Sequence, residues 1–206
     1  MLNALRPAIG RIADPLALRV LRAGVGPDAV TLAGTVGVVA GSLGFFTRGM
    51  FLVGTVVVFF SVLTDMLDGA MARHQLAAGG APSRFGAWLD STCDRVADAA
   101  VFTGLAWWFS GAGEDRLLAA VALFCLVAGS VVSYEKARAE GLGLPCDVGL
   151  AERSERLTLG LAGTFAVGLG APDVVLTVAL WVLAAATAVT VVQRALEVRR
   201  QAAVLR

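Results

Sequence analysis

The sequence predicts an all-α integral membrane protein: six transmembrane helices preceded by an N-terminal amphipathic helix at the membrane interface. Composition is the first observation, because 57% of the 206 residues are hydrophobic and only 16% are charged, with a mean hydropathy of +0.77. These values are typical of membrane proteins. The second is that the apolar residues form long runs between short Arg-rich segments. We expect a single domain over residues 1–206, with a juxtamembrane helix at 1–23 and the six-helix bundle at 28–199.

The amphipathic helix is predicted from the N-terminal residues. Leu5, Ile9 and Leu16 recur at helical spacing, while Arg6 and Arg19 occupy other positions of the helical wheel. This pattern favours a helix lying in the interface, which Pro15 should kink or break. A basic tail that only sets membrane topology remains an alternative.

The six predicted spans cover approximately residues 28–46, 50–72, 85–109, 117–134, 152–170 and 174–194. Fourteen of the seventeen Arg and Lys residues lie at the chain ends or in the connections near 73–84 and 136–156. By the positive-inside rule these segments are cytoplasmic. We therefore predict a multi-pass protein of the cell membrane with both termini in the cytoplasm. The distribution shows no basic face on a polar domain, so nucleic acid is not an expected partner.

Four carboxylates interrupt otherwise apolar runs. Asp65 and Asp68 are three residues apart, and Asp90 and Asp94 four apart, so each pair shares one helix face. Counted along antiparallel helices from the cytoplasmic connection, both pairs reach a similar depth in the membrane. Each carboxylate would cost about 3 kcal/mol uncompensated. Divalent cations of the Mg²⁺ type prefer such ligands, and two ions between four carboxylates are typical of substitution at phosphorus. Asp98 continues the row one turn further but is left out of this metal set.

Other chemistry is poorly supported. Cys93, Cys125 and Cys146 have no metal-ligand spacing and are predicted to be free thiols. His74 is the only histidine and lies in a predicted loop, which excludes a His-based triad or zinc site. A transporter with intramembrane carboxylates would explain the aspartates, but not the Gly, Ala and Arg residues around them.

These residues form a longer pattern. Asp65, Asp68, Gly69, Ala72, Arg73, Gly86, Asp90 and Asp94 follow the order D-x-x-D-G-x-x-A-R and then G-x-x-x-D-x-x-x-D. The pattern resembles the signature of the CDP-alcohol phosphatidyltransferases. The spacing between Arg73 and Gly86 is longer than usual in that family, and we interpret the excess as a lengthened loop at 74–84.

The resemblance implies a reaction in which an acceptor hydroxyl attacks CDP-diacylglycerol and CMP leaves, catalysed by a homodimer. It implies that two Mg²⁺ ions, or Mn²⁺, are held by Asp65, Asp68, Asp90 and Asp94, and that Asp94 is also the catalytic base. The residues expected to bind CDP-diacylglycerol are Asp28, Ala29, Val30, Thr31, Gly69, Ala72, Arg73 and Ser83. For the segment beginning at Pro27, simple helix capping by Asp28 is an alternative.

The segments SYEKARAE and ERSERL extend the likeness to the actinobacterial phosphatidylinositol phosphate synthases within that family. This implies inositol 1-phosphate as the acceptor, bound by Ser133, Lys136, Arg153 and Arg194. Positive-inside anchoring would explain the same basic residues. Glycerol 3-phosphate also carries a phosphate, so phosphatidylglycerol phosphate synthesis remains the nearest alternative.

Overall fold

A computed structural model describes the backbone of residues 6–204 and the side chains of residues 14–203. Within this range all regular structure is helical, which confirms the all-α class. The helices are α1 (Arg6–Arg22), α2 (Pro27–Phe45), α3 (Phe51–Val62), α4 (Thr64–Ala77), α5 (Arg84–Ser110), α6 (Arg116–Glu140), α7 (Arg153–Gly168) and α8 (Val174–Val204), with a 3₁₀ turn at Phe46–Arg48.

Four segments of the described chain are long and apolar enough to cross a membrane: 27–48, 51–77, 116–140 and 174–203. They correspond to the first, second, fourth and sixth predicted spans. The other two predicted spans coincide with α5 and α7. The first half of α5 carries several charged residues, and α7 has only 16 residues. The membrane-protein class therefore stands, while the number of six spans stays a prediction.

The N-terminal helix α1 continues through Pro15, so the predicted break at this residue does not occur. Its described part packs on α4, where Ala17, Ala70 and Met71 form a small buried cluster. The position of α1 relative to a membrane surface remains a prediction.

The predicted span 50–72 is divided into α3 and α4 at Leu63. Hydroxyl side chains flank this division: Ser61 Oγ donates to the Val57 carbonyl at 2.8 Å, and Thr64 Oγ1 donates to the Ser61 carbonyl at 2.6 Å. Such bonds to the preceding turn bend helices. Because α4 then continues to Ala77, part of the extra spacing after Arg73 is helical rather than loop, which corrects the predicted 74–84 loop.

Helix α2 packs closely against this division. A Cβ atom on Gly34 would collide with Thr64 Oγ1 and lie 3.0 Å from the Ser61 carbonyl oxygen, and one on Gly37 would collide with the Ser61 side chain. The absence of a side chain at Gly34 therefore lets the two backbones approach closely. The close contact aligns the start of α2 with the first turns of α4.

The main apolar core lies toward the end of the bundle that is away from Asp65, Asp68, Asp90 and Asp94. Helix α5 packs on α2 and α6, α6 packs on α8, and α7 packs on α3 and α8. Phe46, Phe102, Leu105 and Leu180 are almost completely buried there. This core fixes α5 and α7, and contacts of α4 with α1, α2 and α3 place its first turn beside them.

Candidate active site

The predicted carboxylates of α4 and α5 converge on one cation. Asp65 Oδ2 lies 3.1 Å from Arg153 Nη1, and Asp94 Oδ1 lies 2.8 Å from the same nitrogen. Arg153 is the first residue of α7, so three helices meet at this point. The convergence expected from helical spacing is therefore present for Asp65 and Asp94, while that of all four carboxylates stays a prediction.

The other two carboxylates have different surroundings. Asp68 is buried and accepts a hydrogen bond of 2.5 Å from Thr31 Oγ1 of α2. Asp90 precedes Asp94 by one turn and is exposed. Thr31, expected at the nucleotide, thus orients one of the predicted metal ligands.

The donor set fits a hard divalent cation. Among the described residues, no three Asp, Glu, His or Cys side chains are already grouped closely enough to hold a metal ion. The Arg153 guanidinium instead provides positive charge between Asp65 and Asp94, on oxygen atoms of the type that Mg²⁺ and Mn²⁺ prefer.

The starts of α2 and α5 lie side by side. Gly26 is the N-cap of α2 and makes no side-chain cap bond, so the alternative that Asp28 caps this helix is wrong. Ser83 caps α5 by accepting a 2.8 Å hydrogen bond from the Gly86 amide. A Cβ atom on Gly86 would lie 3.2 Å from Asp28 Oδ1. Asp28 and Ser83 are therefore neighbours, as expected of residues that bind one ligand.

The remaining predicted nucleotide residues differ in exposure. Ala29, Ala72 and Arg73 are exposed, and among the described residues a Cβ atom on Gly69 would meet only the Arg73 side chain, at 3.6 Å. The Val30 side chain instead packs against the cluster of Ala17, Ala70 and Met71. Only the backbone of Val30 is thus suited to contact a ligand.

The four predicted acceptor residues divide into two groups. Arg153 lies among the carboxylates. Lys136 Nζ donates to Asp147 Oδ1 at 2.6 Å, and Ser133 Oγ donates to the Gly129 carbonyl at 3.1 Å. The hydrogen bond from Lys136 lowers the pKa of the exposed Asp147. This pair connects the end of α6 to the segment before α7.

The Arg194 side chain is 3% exposed and is surrounded by protein groups. Its Nε donates to the Val148 carbonyl at 2.8 Å, and its Nη1 to the Val132 carbonyl at 2.6 Å. Its Nη2 lies 3.2 Å from Glu152 Oε1. Arg194 therefore joins α8, α6 and the segment 147–152.

Sequence reasoning missed several partners. Asp98, left out of the metal set, contacts Arg153 and Arg156. Its place one turn beyond Asp94 on the same face of α5 was the available signal. His74 lies in α4, not in a loop, and its Nε2 is 3.6 Å from Asp14 Oδ1. All three cysteines are free, as predicted.

A cavity of about 820 Å³ extends from Asp65 and Arg153 along α3 and α7. Asp65 and Arg153 lie at its polar part, and the remainder is largely apolar. Its apolar lining includes Val56, Phe59, Phe60, Leu157, Leu161 and Phe165. A polar end that continues into an apolar groove suits an amphiphilic ligand.

A model of the CDP-alcohol phosphatidyltransferase family matches residues 24–192, and the chain belongs to this family. The resemblance carried by the aspartate pattern is thereby confirmed. The phosphatidylinositol phosphate synthase of Streptomyces avermitilis is 49% identical over 199 residues, which cover 94% of this chain and 80% of that protein. That of Mycobacterium marinum is 48% identical over 196 residues, covering 92% and 80%.

Solved structures show the same likeness. The crystal structure of Mycobacterium tuberculosis phosphatidylinositol phosphate synthase with CDP-DAG bound has a TM-score of 0.86 and 48% identity, covering 91% of this chain and 94% of that one. A structure of that protein with manganese and citrate has a TM-score of 0.85 and 47% identity, covering 90% and 88%.

Proposed function

We propose that this enzyme transfers the phosphatidyl group of CDP-diacylglycerol to inositol 1-phosphate, forming phosphatidylinositol phosphate and releasing CMP. The observation that carries the proposal is the convergence of Asp65 and Asp94 on one cationic nitrogen at the end of an apolar cavity. Family membership and the extensive identity to phosphatidylinositol phosphate synthases support it. The acceptor oxygen bonds to the phosphorus nearest the lipid, and the bond from that phosphorus to CMP breaks.

Asp65, Asp68, Asp90 and Asp94 would hold two divalent cations. The manganese in the structure of the Mycobacterium tuberculosis relative supports a metal. When bound, such ions screen the pyrophosphate charge and polarise its oxygens. The protein orients one of these ligands in advance, because the 2.5 Å hydrogen bond from Thr31 fixes the orientation of the Asp68 carboxylate. Asp94 accepts the proton of the acceptor hydroxyl as the general base.

The two ends of CDP-diacylglycerol would occupy different surfaces. The cytidine and its phosphates lie against the starts of α2 and α5, where the α2 N-terminus has no side-chain cap and favours anions. Asp28, Ala29, Val30, Thr31, Gly69, Ala72, Arg73 and Ser83 line this surface. One acyl chain lies in the apolar cavity between α3 and α7. The relative with CDP-DAG bound supports this ligand.

The phosphate of the acceptor would be bound first by Arg153 and Lys136. Both have side-chain carboxylates as partners, and a phosphate can replace those partners without disturbing the backbone. Ser133, three residues before Lys136 on α6, adds a hydroxyl. Arg194 is proposed as the fourth residue of this set, with an indirect role: it holds the segment 147–152, which carries the Asp147 partner of Lys136.

We further propose a single domain with six spans, in which α5 and α7 cross the membrane beside the four more apolar segments. Helix α5 would span about 40 Å at ~1.5 Å per residue. In its charged half, Asp94 and Asp98 face arginines of α7 rather than lipid. The positive-inside distribution supports an active site and both termini at the cytoplasmic face of the cell membrane, with α1 in the interface. The family resemblance supports a homodimer.

The test is CMP release by the purified protein with CDP-diacylglycerol and Mg²⁺ or Mn²⁺. Inositol 1-phosphate, free inositol and glycerol 3-phosphate are offered separately, and a sample with EDTA is the control. We expect release only with inositol 1-phosphate and metal. Release only with glycerol 3-phosphate would keep the mechanism but replace the acceptor. No release with any acceptor would contradict the proposal.

A further inference from the structure

Asp98 and Arg156 form a buried ion pair beside the predicted catalytic residues. Asp98 is 6% exposed and Arg156 is 1% exposed. Arg156 Nη2 lies 2.9 Å from Asp98 Oδ2. Two charges removed from water need each other and further hydrogen bonds, because an unpaired buried charge is costly. Neither residue belongs to the metal, nucleotide or acceptor sets described above.

The position of Arg156 is fixed on several sides. Its Nη1 donates to the Ala151 carbonyl at 3.1 Å. A Cβ atom on Gly129 of α6 would lie 2.9 Å from Arg156 Nε, so α6 closes over the side chain at a glycine. Held by these contacts, Arg156 restricts the Asp98 carboxylate in turn.

Asp98 also contacts the residue that faces the site. Its Oδ1 lies 3.4 Å from Arg153 Nε, while Arg153 Nη1 reaches Asp65 and Asp94. A guanidinium group is planar, and contacts on its Nε edge restrict where its Nη atoms point. Asp98 therefore restricts both the position and the direction of the Arg153 side chain.

We propose that Asp98 is a positioning residue that, supported by Arg156, aims Arg153 at the acceptor phosphate. The inference rests on the proposed function and adds residues outside the family's aspartate pattern. Without Asp98, Arg153 keeps its charge but loses its fixed direction, so the acceptor binds less well. The cytidine and phosphates of CDP-diacylglycerol are proposed to lie at the starts of α2 and α5, more than three helical turns from Asp98 along α5, so binding of this substrate is affected less.

The test compares Asp98→Asn with the double variant Asp98→Asn/Arg156→Gln. In the single variant, Arg156 has no charged partner, so the melting temperature should fall. The acceptor KM should rise by about tenfold or more, the amount expected for a lost charge-assisted hydrogen bond. The KM for CDP-diacylglycerol should change by less than about twofold. Equal changes in both KM values would overturn the proposal.

The double variant separates positioning from folding. It replaces the buried ion pair with two neutral amides, so the melting temperature should return toward that of the unmodified protein. We expect the acceptor KM to stay raised, because Arg153 still lacks its carboxylate. Recovery of the acceptor KM together with the melting temperature would overturn the proposal.

If neither variant yields folded protein, Asp98→Glu tests the positioning role instead. It keeps the charge but displaces the carboxylate by one methylene, so the acceptor KM should rise, and an unchanged KM would contradict the positioning role. Failure of the proposed function is seen separately, since the unmodified protein would then release no CMP with inositol 1-phosphate in the same assay.

Discussion

Arg153 and Arg194 were both predicted to bind the phosphate of the acceptor, yet their surroundings differ. Arg153 is 22% exposed and faces three carboxylates on α4 and α5. Arg194 is 3% exposed, and two of its three partners are backbone carbonyls. Carboxylates on side chains can exchange a guanidinium for metal ions or water. Backbone carbonyls cannot leave without moving the segment 147–152 and the end of α6.

The difference distinguishes a ligand-binding arginine from a structural one. The sequence alone does not, because both lie at cytoplasmic helix ends. The region around Arg153 is arranged around groups that a ligand can displace, which suits chemistry. The region around Arg194 is arranged around backbone groups that need a permanent partner. The hydrogen-bond acceptors of a basic residue at a cytoplasmic helix end therefore indicate its role: side-chain carboxylates favour ligand binding, and backbone carbonyls favour a structural role.

The largest expected effect is that of Asp94→Asn, within the region of Arg153. The change removes the proposed base and one partner of Arg153 but keeps the side-chain size. CMP release should fall by about 10²–10⁴-fold, the usual contribution of a general base. The far-UV circular dichroism and the melting temperature of the variant in detergent should stay close to those of the unmodified protein. Unchanged turnover would remove Asp94 from the base role.

The next effect is the contrast between Arg194→Ala and Arg153→Ala. Arg194→Ala removes the donor to the Val148 carbonyl, at about 1–3 kcal/mol if that group stays buried, and the additional donor to the helical Val132 carbonyl. Its melting temperature should fall by several degrees, whether or not an acceptor is present.

Arg153→Ala, the matched variant, should keep most of its thermal stability and raise the acceptor KM by about tenfold or more. The same assay reports the KM for CDP-diacylglycerol, which should change little. If the two arginine variants exchanged these effects, the distinction between the two regions would be wrong.

The smallest effect concerns Lys136 and Asp147, which lie in the Arg194 region but pair through an exposed side chain. Asp147→Asn frees Lys136 for the acceptor phosphate, so the acceptor KM should fall by less than about fivefold, as for exposed ion pairs. Asp147→Leu provides a control of similar size without the amide. A rise in the acceptor KM would instead make Asp147 part of the acceptor site.

The contribution of the Lys136–Asp147 pair to the stability of the protein should depend weakly on pH. Because the folded protein lowers the pKa of Asp147, the stability it contributes is present above the unfolded pKa of about 3.9 and is lost as pH falls through the folded value. The melting temperatures of the unmodified protein and Asp147→Asn should therefore converge below about pH 4. A difference that persisted in acid would contradict this origin.

The sequence predicted the helical class, the family and the meeting of α4 with α5, because spacing determines which side chains share a helix face. It placed Asp65 and Asp94 close together correctly. It could not predict that Arg153 lies between them or that Arg156 pairs with Asp98, because these contacts depend on how α7 packs against α5. The division at Leu63 was missed because Ser61 and Thr64 are compatible with a continuous helix. The end of α4 at Ala77 was missed because the Gly-rich segment obscured one further turn.

The most direct test offers inositol 1-phosphate and glycerol 3-phosphate together, at equal concentration, to the purified protein with CDP-diacylglycerol and Mg²⁺. Mass spectrometry of the lipid products then gives the ratio of kcat/KM values for the two acceptors. We predict phosphatidylinositol phosphate as the dominant product. A product consisting mainly of phosphatidylglycerol phosphate would contradict the proposed acceptor.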